Sequence, residues 1–181
     1  MRKQKMNKSN FKKICLILIV AILLVGCSNN KTSTSNSSND FINDVIKTED
    51  TSNMQKLNCT REASAGAGVD VDLNYEVYYQ GEYIKILHSM EQVTTENQET
   101  LDEYETAYKN IAKNYEGLKY YDQTVTRTNN KVNNDTVINY GKIDTNKLLE
   151  IEGEEDNIIK DGKVKLDDWL SFAKKFGTKC E

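Results

Sequence analysis

Twelve consecutive residues, Val69 to Gln80, alternate between an apolar and a polar set, and this alternation constrains the fold more than any other feature of the chain. Val69, Val71, Leu73, Tyr75, Val77 and Tyr79 fall on one side of an extended strand. Asp70, Asp72, Asn74, Glu76, Tyr78 and Gln80 fall on the other. A period of two held this long belongs to a strand with one covered face and one wet face. The arrangement that supplies both is an antiparallel sheet with a layer of helix on one side. Residues 57–63 are predicted as a partner strand, joined through the small-residue turn at 64–68. Gln80-Gly81 is predicted to turn the chain into a third strand across 82–94.

The period then changes. Leu101, Tyr104, Tyr108, Ile111, Tyr115 and Leu118 step by three and four, which places one apolar stripe on a helix over 97–118. Thr95 is a candidate N-cap and Gly117 a C-terminal stop. Residues 120–127 and 136–143 read as a second hairpin around a polar loop at 128–135, and a short helix follows near 145–151. A last helix at 167–176 turns Trp169, Leu170, Ala173 and Phe176 inward, with Asp167 as its cap and Gly177 as its stop. The expected fold is α+β: an antiparallel sheet of about five strands, packed by one long helix and a C-terminal helix in two layers.

The N-terminus carries a different message. Arg2, Lys3, Lys5, Lys8, Lys12 and Lys13 precede the apolar run 14–25, with no acidic residue among them, and the run ends in Leu24-Val25-Gly26-Cys27. A run of this length is short of the roughly 20 residues a spanning helix needs and suits a signal peptide. The tetrad resembles the lipobox of bacterial lipoproteins. That resemblance implies cleavage between Gly26 and Cys27, a diacylglyceryl thioether on Cys27, and a lipid anchor at the extracytoplasmic face of the cell membrane. Two acyl chains on one residue suffice for stable attachment. The organisation expected is a signal peptide at 1–26, the lipidated cysteine and a tether at 27–56, and a single domain at 57–181. The tether includes the low-complexity stretch 28–39 (SNNKTSTSNSSN), too polar to form a core of its own.

The signal segment holds six of the 24 basic residues, so cleavage leaves 18 against 28 acidic ones, a net charge of −10. Such a charge argues against nucleic acid as a partner. Cleavage also leaves two cysteines in the domain. Cys59 stands near its start and Cys180 is the penultimate residue. In an oxidising compartment an isolated pair reads as a disulfide, which here would staple the first strand to the C-terminus.

Several short motifs together resemble the YehR-like bacterial lipoproteins, a family of small secreted proteins without an assigned activity. They are Val77-Tyr78-Tyr79-Gln80-Gly81, Tyr108-Lys109-Asn110-Ile111, Tyr120-Tyr121-Asp122, and Ile143-Asp144 followed by Lys147-Leu148. The resemblance covers residues 69–177 and implies lipoprotein status and the α+β fold. It carries over no catalytic residue.

Other motifs are weaker. Ala65-Gly66-Ala67-Gly68 precedes a strand, whereas a phosphate cradle opens a helix, so it reads as a turn. The stretch 157–168 (NIIKDGKVKLDD) superficially resembles a calcium loop, but Ile159 occupies a ligand position and Asp161-Gly162 reads better as a turn. Glu150, Glu152, Glu154, Glu155 and Asp156 read as a solvated run, and Asp70, Asp72 and Glu76 as the wet side of a strand. His88 is the only histidine, which excludes multi-histidine metal sets, and no nucleophile motif stands beside it. No metal or cofactor set is expected. Tyr78, Tyr83 and Tyr120 are the candidate binding residues, because tyrosine offers rigid amphipathic contact area.

The reading that follows is a non-enzymatic binding or interaction module meeting an envelope protein or polymer. The alternatives are a small one-domain lipoprotein that binds a solute or metal, and an envelope hydrolase. Three structural features discriminate among them. A pocket of tyrosine and apolar side chains with convergent carboxylates would mark ligand capture. A flat exposed face around Tyr78 would mark a protein partner. A buried carboxylate pair beside His88 would mark catalysis.

Overall fold

The structure is a computed structural model and describes residues 50–66, 68–155 and 157–181. The tetrad ending in Cys27 and the Ser/Asn tether lie outside the described residues. The alternating segment forms β2 (Val69–Gln80) and pairs antiparallel with β1 (Gln55–Gly66) on one side and β3 (Tyr83–Thr94) on the other. Val69, Val71, Leu73, Tyr75 and Val77 are buried, as the period of two requires. β1 begins two residues before the expected start at Leu57.

Helix α1 (Gln98–Asn114) crosses over the covered face and buries Leu101 and Tyr108. Its N-cap is Asn97, whose side chain accepts from the Thr100 amide, so the expected cap at Thr95 is displaced by two residues. Thr95 instead accepts from the Asn97 amide and fixes the approach to the helix. The chain leaves α1 through Gly117 (φ 80°) and returns as β4 (Tyr121–Arg127) and β5 (Lys131–Asn139). β5 begins at Lys131, five residues earlier than its apolar content suggests, and shortens the hairpin loop to residues 128–130.

Helix α2 (Thr145–Glu152) is capped by Asp144, which accepts from the Asn146 and Lys147 amides. The calcium-like stretch is a two-residue hairpin, β6 (Ile159–Lys160) and β7 (Lys163–Val164). Its turn, Asp161-Gly162, has φ of 50° and 71°, the left-handed pair that such a turn demands. Helix α3 (Leu166–Lys175) is entered from Lys165, with no side-chain cap, so Asp167 is a first-turn acid and not the cap. Trp169 and Ala173 of α3 are buried, and Trp169 meets Tyr75 edge-on at 5.4 Å. The chain ends in β8 (Lys179–Cys180) beside β1.

The fold is therefore α+β, with the expected five strands extended to six in the order β4-β5-β3-β2-β1-β8, plus the separate β6-β7 pair. The extra strand in the main sheet is β8, and it exists where the disulfide is. Cys59 and Cys180 are directly paired residues of β1 and β8 and are bonded to each other. Neither α1 nor α3 covers the whole inner face. α1 packs on β3, β4 and β5, while α3 reaches β2 through the Trp169–Tyr75 contact.

A polar belt across the covered face of the sheet

Strand register places the inner-face residues in rows that run across the sheet. One row is Leu57, Val77, Leu87, Ile138 and Tyr121; another, at the opposite end, is Ala63, Val71, Val93, Val132 and Arg127. Both are mainly apolar, as a covered face should be. The two rows between them are not. They read Arg61, Leu73, Glu91, Asn134, Val125 and Cys59, Tyr75, Ser89, Thr136, Gln123. Six polar side chains thus form a belt under the helices, where an unpartnered polar group costs about 1–3 kcal/mol.

The belt is the floor of a cavity of about 120 Å³. Tyr108 and Ile111 of α1 and its C-cap Tyr115 wall one side, and Trp169, Phe172 and Ala173 of α3 and its C-cap Phe176 the other. Part of the belt is satisfied internally. Gln123 Nε2 donates to Asn134 Oδ1 at 2.6 Å, and Tyr121 Oη donates to Gln123 Oε1 at 2.7 Å. At the far end of the cavity Glu152 accepts from Asn157 Nδ2 at 3.0 Å and from Tyr115 Oη at 3.3 Å.

The other part centres on a buried carboxyl, Glu91. Burial pushes the Glu91 carboxyl up to about 7, against the opposing influence of Tyr108 and Arg61. Glu91 still has accessible surface, and its position on the cavity floor means that this surface opens into the cavity. Arg61 acts on Glu91 electrostatically without forming an ion pair among the described residues. The Tyr108 hydroxyl lies near enough to Glu91 to favour its carboxylate. Even so, this hydroxyl, on a residue 4% exposed, makes no well-formed hydrogen bond among the described residues. Burial also raises the Glu152 carboxyl above its usual range, opposed by its two hydrogen bonds.

His88 lies on the opposite face of the sheet, paired with Glu76 across β2 and β3. At 1% exposure, its ring donates from Nε2 to Asp135 Oδ1 at 2.7 Å and from Nδ1 to Glu76 Oε2 at 3.3 Å. Burial alone would lower the imidazole, but the two carboxylates outweigh it and hold His88 up to about 9. The His88 hydrogen bond, opposed by burial, holds Glu76 down to about 2. A carboxylate pair therefore does flank His88. With both nitrogens donating, however, the ring is an imidazolium clamp with no lone pair free to take a proton.

The three candidate tyrosines lie elsewhere. Tyr78 faces away from the helices, in register with Ile86, its ring under Lys56 Nζ at 5.4 Å. Tyr83 opens β3 beneath Lys163 at 4.9 Å. Tyr120 occupies a left-handed turn (φ 69°), is 46% exposed, and sits under Lys142 at 5.7 Å. None lines the cavity, whose tyrosines are Tyr75, Tyr108, Tyr115, Tyr121 and Tyr140.

Comparison with known proteins adds little to this geometry. No protein-family model matches the sequence, and no curated protein matches it. The chain is distantly similar to the NMR structure of the E. coli YehR protein, at 13% identity and a TM-score of 0.48. That alignment covers 70% of this chain and 91% of the other. It is also similar to the NMR structure of a protein from Streptococcus pneumoniae TIGR4, at 11% identity and a TM-score of 0.47, covering 87% of this chain and 100% of the other.

Proposed function

We propose that the chain is an extracytoplasmic lipoprotein, tethered through a lipid on Cys27, whose domain captures a small ligand in the cavity between sheet and helices. The tetrad Leu24-Val25-Gly26-Cys27 supports the anchor. The polar belt supports the binding activity, and it is the observation that carries this reading. A sheet that needed only to be covered would continue its apolar rows across positions 61, 89, 91, 134 and 136. Instead it keeps Arg61, Ser89, Glu91, Asn134 and Thr136 around an open volume. Mostly apolar walls with a few convergent polar groups are the usual make-up of a small-molecule site. The rival interaction reading asks for a flat tyrosine face, and Tyr78 is instead half-covered beside Lys56 and Glu76. A hydrolase would need a free base beside a nucleophile, which the doubly bonded His88 does not supply.

Thermal unfolding of the full chain against a library of metabolite-sized compounds tests the proposal. A ligand at 100 times its Kd should stabilise by about 2.7 kcal/mol, which raises Tm by about 5–10 °C for a domain of this size. Ser89→Leu, which fills the cavity from its floor, should abolish the shift while leaving the protein folded. Equal responses of the two proteins, or no response from any compound, would reject ligand capture.

A further inference from the structure

The geometry points to a small zwitterion, carrying one ammonium and one carboxylate as an amino acid does, as the ligand of this cavity, with its carboxylate on Arg61 and its ammonium on Glu91. This rests on the ligand-capture reading and specifies its chemistry. Arg61 and Glu91 stand in the same row on either side of Leu73, so their Cα atoms are two strand spacings apart, about 9.5 Å. Both rise from the floor into the cavity. They attract each other without closing into an ion pair, which leaves a gap with a cation at one side and an acid at the other. The Tyr108 hydroxyl, buried beside Glu91 and without a well-formed hydrogen bond among the described residues, adds a third polar group to the cavity lining.

Charge matching selects among ligand classes. Arg61 is the one cation among the described lining residues, and Glu152, the second acid among them, is already held by Asn157 and Tyr115. A plain amine would pair with Glu91 and leave Arg61 facing a like charge. A plain acid would pair with Arg61 and hold Glu91 in its protonated form, so it should bind less tightly as Glu91 ionises. A neutral ligand would leave both unmatched, which is costly in a desolvated site. A zwitterion satisfies both, with the guanidinium fork taking the carboxylate two-pronged. Tyr75, Trp169 and Phe172 then supply an apolar wall for the rest of the molecule. A volume of about 120 Å³ is a little below that of a cavity that holds benzene, so it encloses about six heavy atoms of the ligand.

The test uses the full-length chain, isothermal titration calorimetry and thermal unfolding. The twenty standard amino acids are measured together with a matched series on the valine skeleton: valine, isobutylamine, isovalerate and isobutanol. At least one amino acid should bind, and removing either charge should weaken binding at least tenfold. Arg61→Met should weaken the amino acid at least tenfold and bring the amine level with it. Glu91→Gln should do the same for the acid. Should Arg61→Met fail to fold, Arg61→Lys keeps the charge without the fork and should weaken binding several-fold. If the amine, the acid or isobutanol binds as tightly as the amino acid, or if both variants bind normally, the zwitterion falls and ligand capture stands. If no amino acid binds but another library compound does, the zwitterion alone again falls. If nothing binds, both fall.

Discussion

The clamp around His88 makes stability depend on pH in a way that can be worked out in advance. Its imidazole is held up to about 9, against 6.5 for the free group. Because the folded value lies above the unfolded one, the native state keeps a proton over a window in which the unfolded chain has released it. The stabilisation is therefore complete below pH 6.5 and is lost as pH rises through 9. Its size is the difference of about 2.5 units at 1.36 kcal/mol each, or about 3 kcal/mol. The lowered Glu76 reports the same contact from the other side, so the two shifts are not added. In urea, with an m value of about 1–3 kcal/mol/M, the midpoint should fall by about 1–3 M between pH 6.5 and 9.5. His88→Gln should start from a lower midpoint at pH 6 and fall much less than wild type in that window, keeping only the smaller fall due to Glu91. Since His88 is the only histidine, its ring resonances also report the titration without ambiguity. A wild-type midpoint that stays flat from pH 6.5 to 9.5, or a native imidazole titrating near 6.5, would refute the clamp.

Other expectations are as direct. Glu91 is raised to about 7 by burial, so its ionisation destabilises the fold between pH 4.5 and 7; Glu91→Gln should gain about 3 kcal/mol at pH 8 and nothing at pH 4.5 in urea titrations. Tyr108→Phe removes a buried hydroxyl that makes no well-formed hydrogen bond among the described residues and should leave ligand-free stability unchanged or raise it by up to about 1 kcal/mol, so a loss of more than about 1 kcal/mol would show that the hydroxyl is satisfied. Cys59 and Cys180 close a loop with a sequence separation of 121, so Cys180→Ala should cost up to about 5 kcal/mol, and two titratable thiols in the unreduced domain would contradict the bridge. Cys27→Ala should abolish incorporation of radiolabelled lipid in cells, whereas continued labelling would remove the anchor from the proposal.

Much of the fold was readable because its signals are local. The alternation of β2 needs no partner to be seen, and neither does the stripe from Leu101 to Tyr115 on α1. The pairing of Cys59 with Cys180 followed from there being no other cysteine in the domain. The errors arose where a nearby residue competed for a role. Thr95 and Asn97 can both cap, and the geometry of the first turn selects Asn97. Asp167 has the right chemistry for a cap, but α3 starts one residue before it, after Lys165 bridges to Tyr83. Nothing local announces β8, a two-residue strand that depends on β1 for its bonds.

The largest miss was β5, and it has the same cause as the missed site. Residues 131–135 (KVNND) read as a polar loop because only Val132 among them is apolar. In the sheet these residues are a regular strand, paired on both sides, with Val132 and Asn134 facing the helices. Asn134 looks out of place in a covered strand, and so does Glu91 in β3, which lies opposite it. Neither residue is informative alone, since one polar inward position is a common irregularity. Register makes them neighbours and adds Arg61, Ser89, Thr136 and Gln123 to the same belt. A pattern of apolar, polar, polar, apolar then recurs in step at Leu87, Ser89, Glu91, Val93 and at Ile138, Thr136, Asn134, Val132. Independent drift in two strands would not place both breaks in the same two rows. A binding cavity of the kind proposed, in the middle of the covered face, requires that placement. The signal that hid a strand is therefore the signal of the proposed site, and it becomes legible only once the strands are aligned.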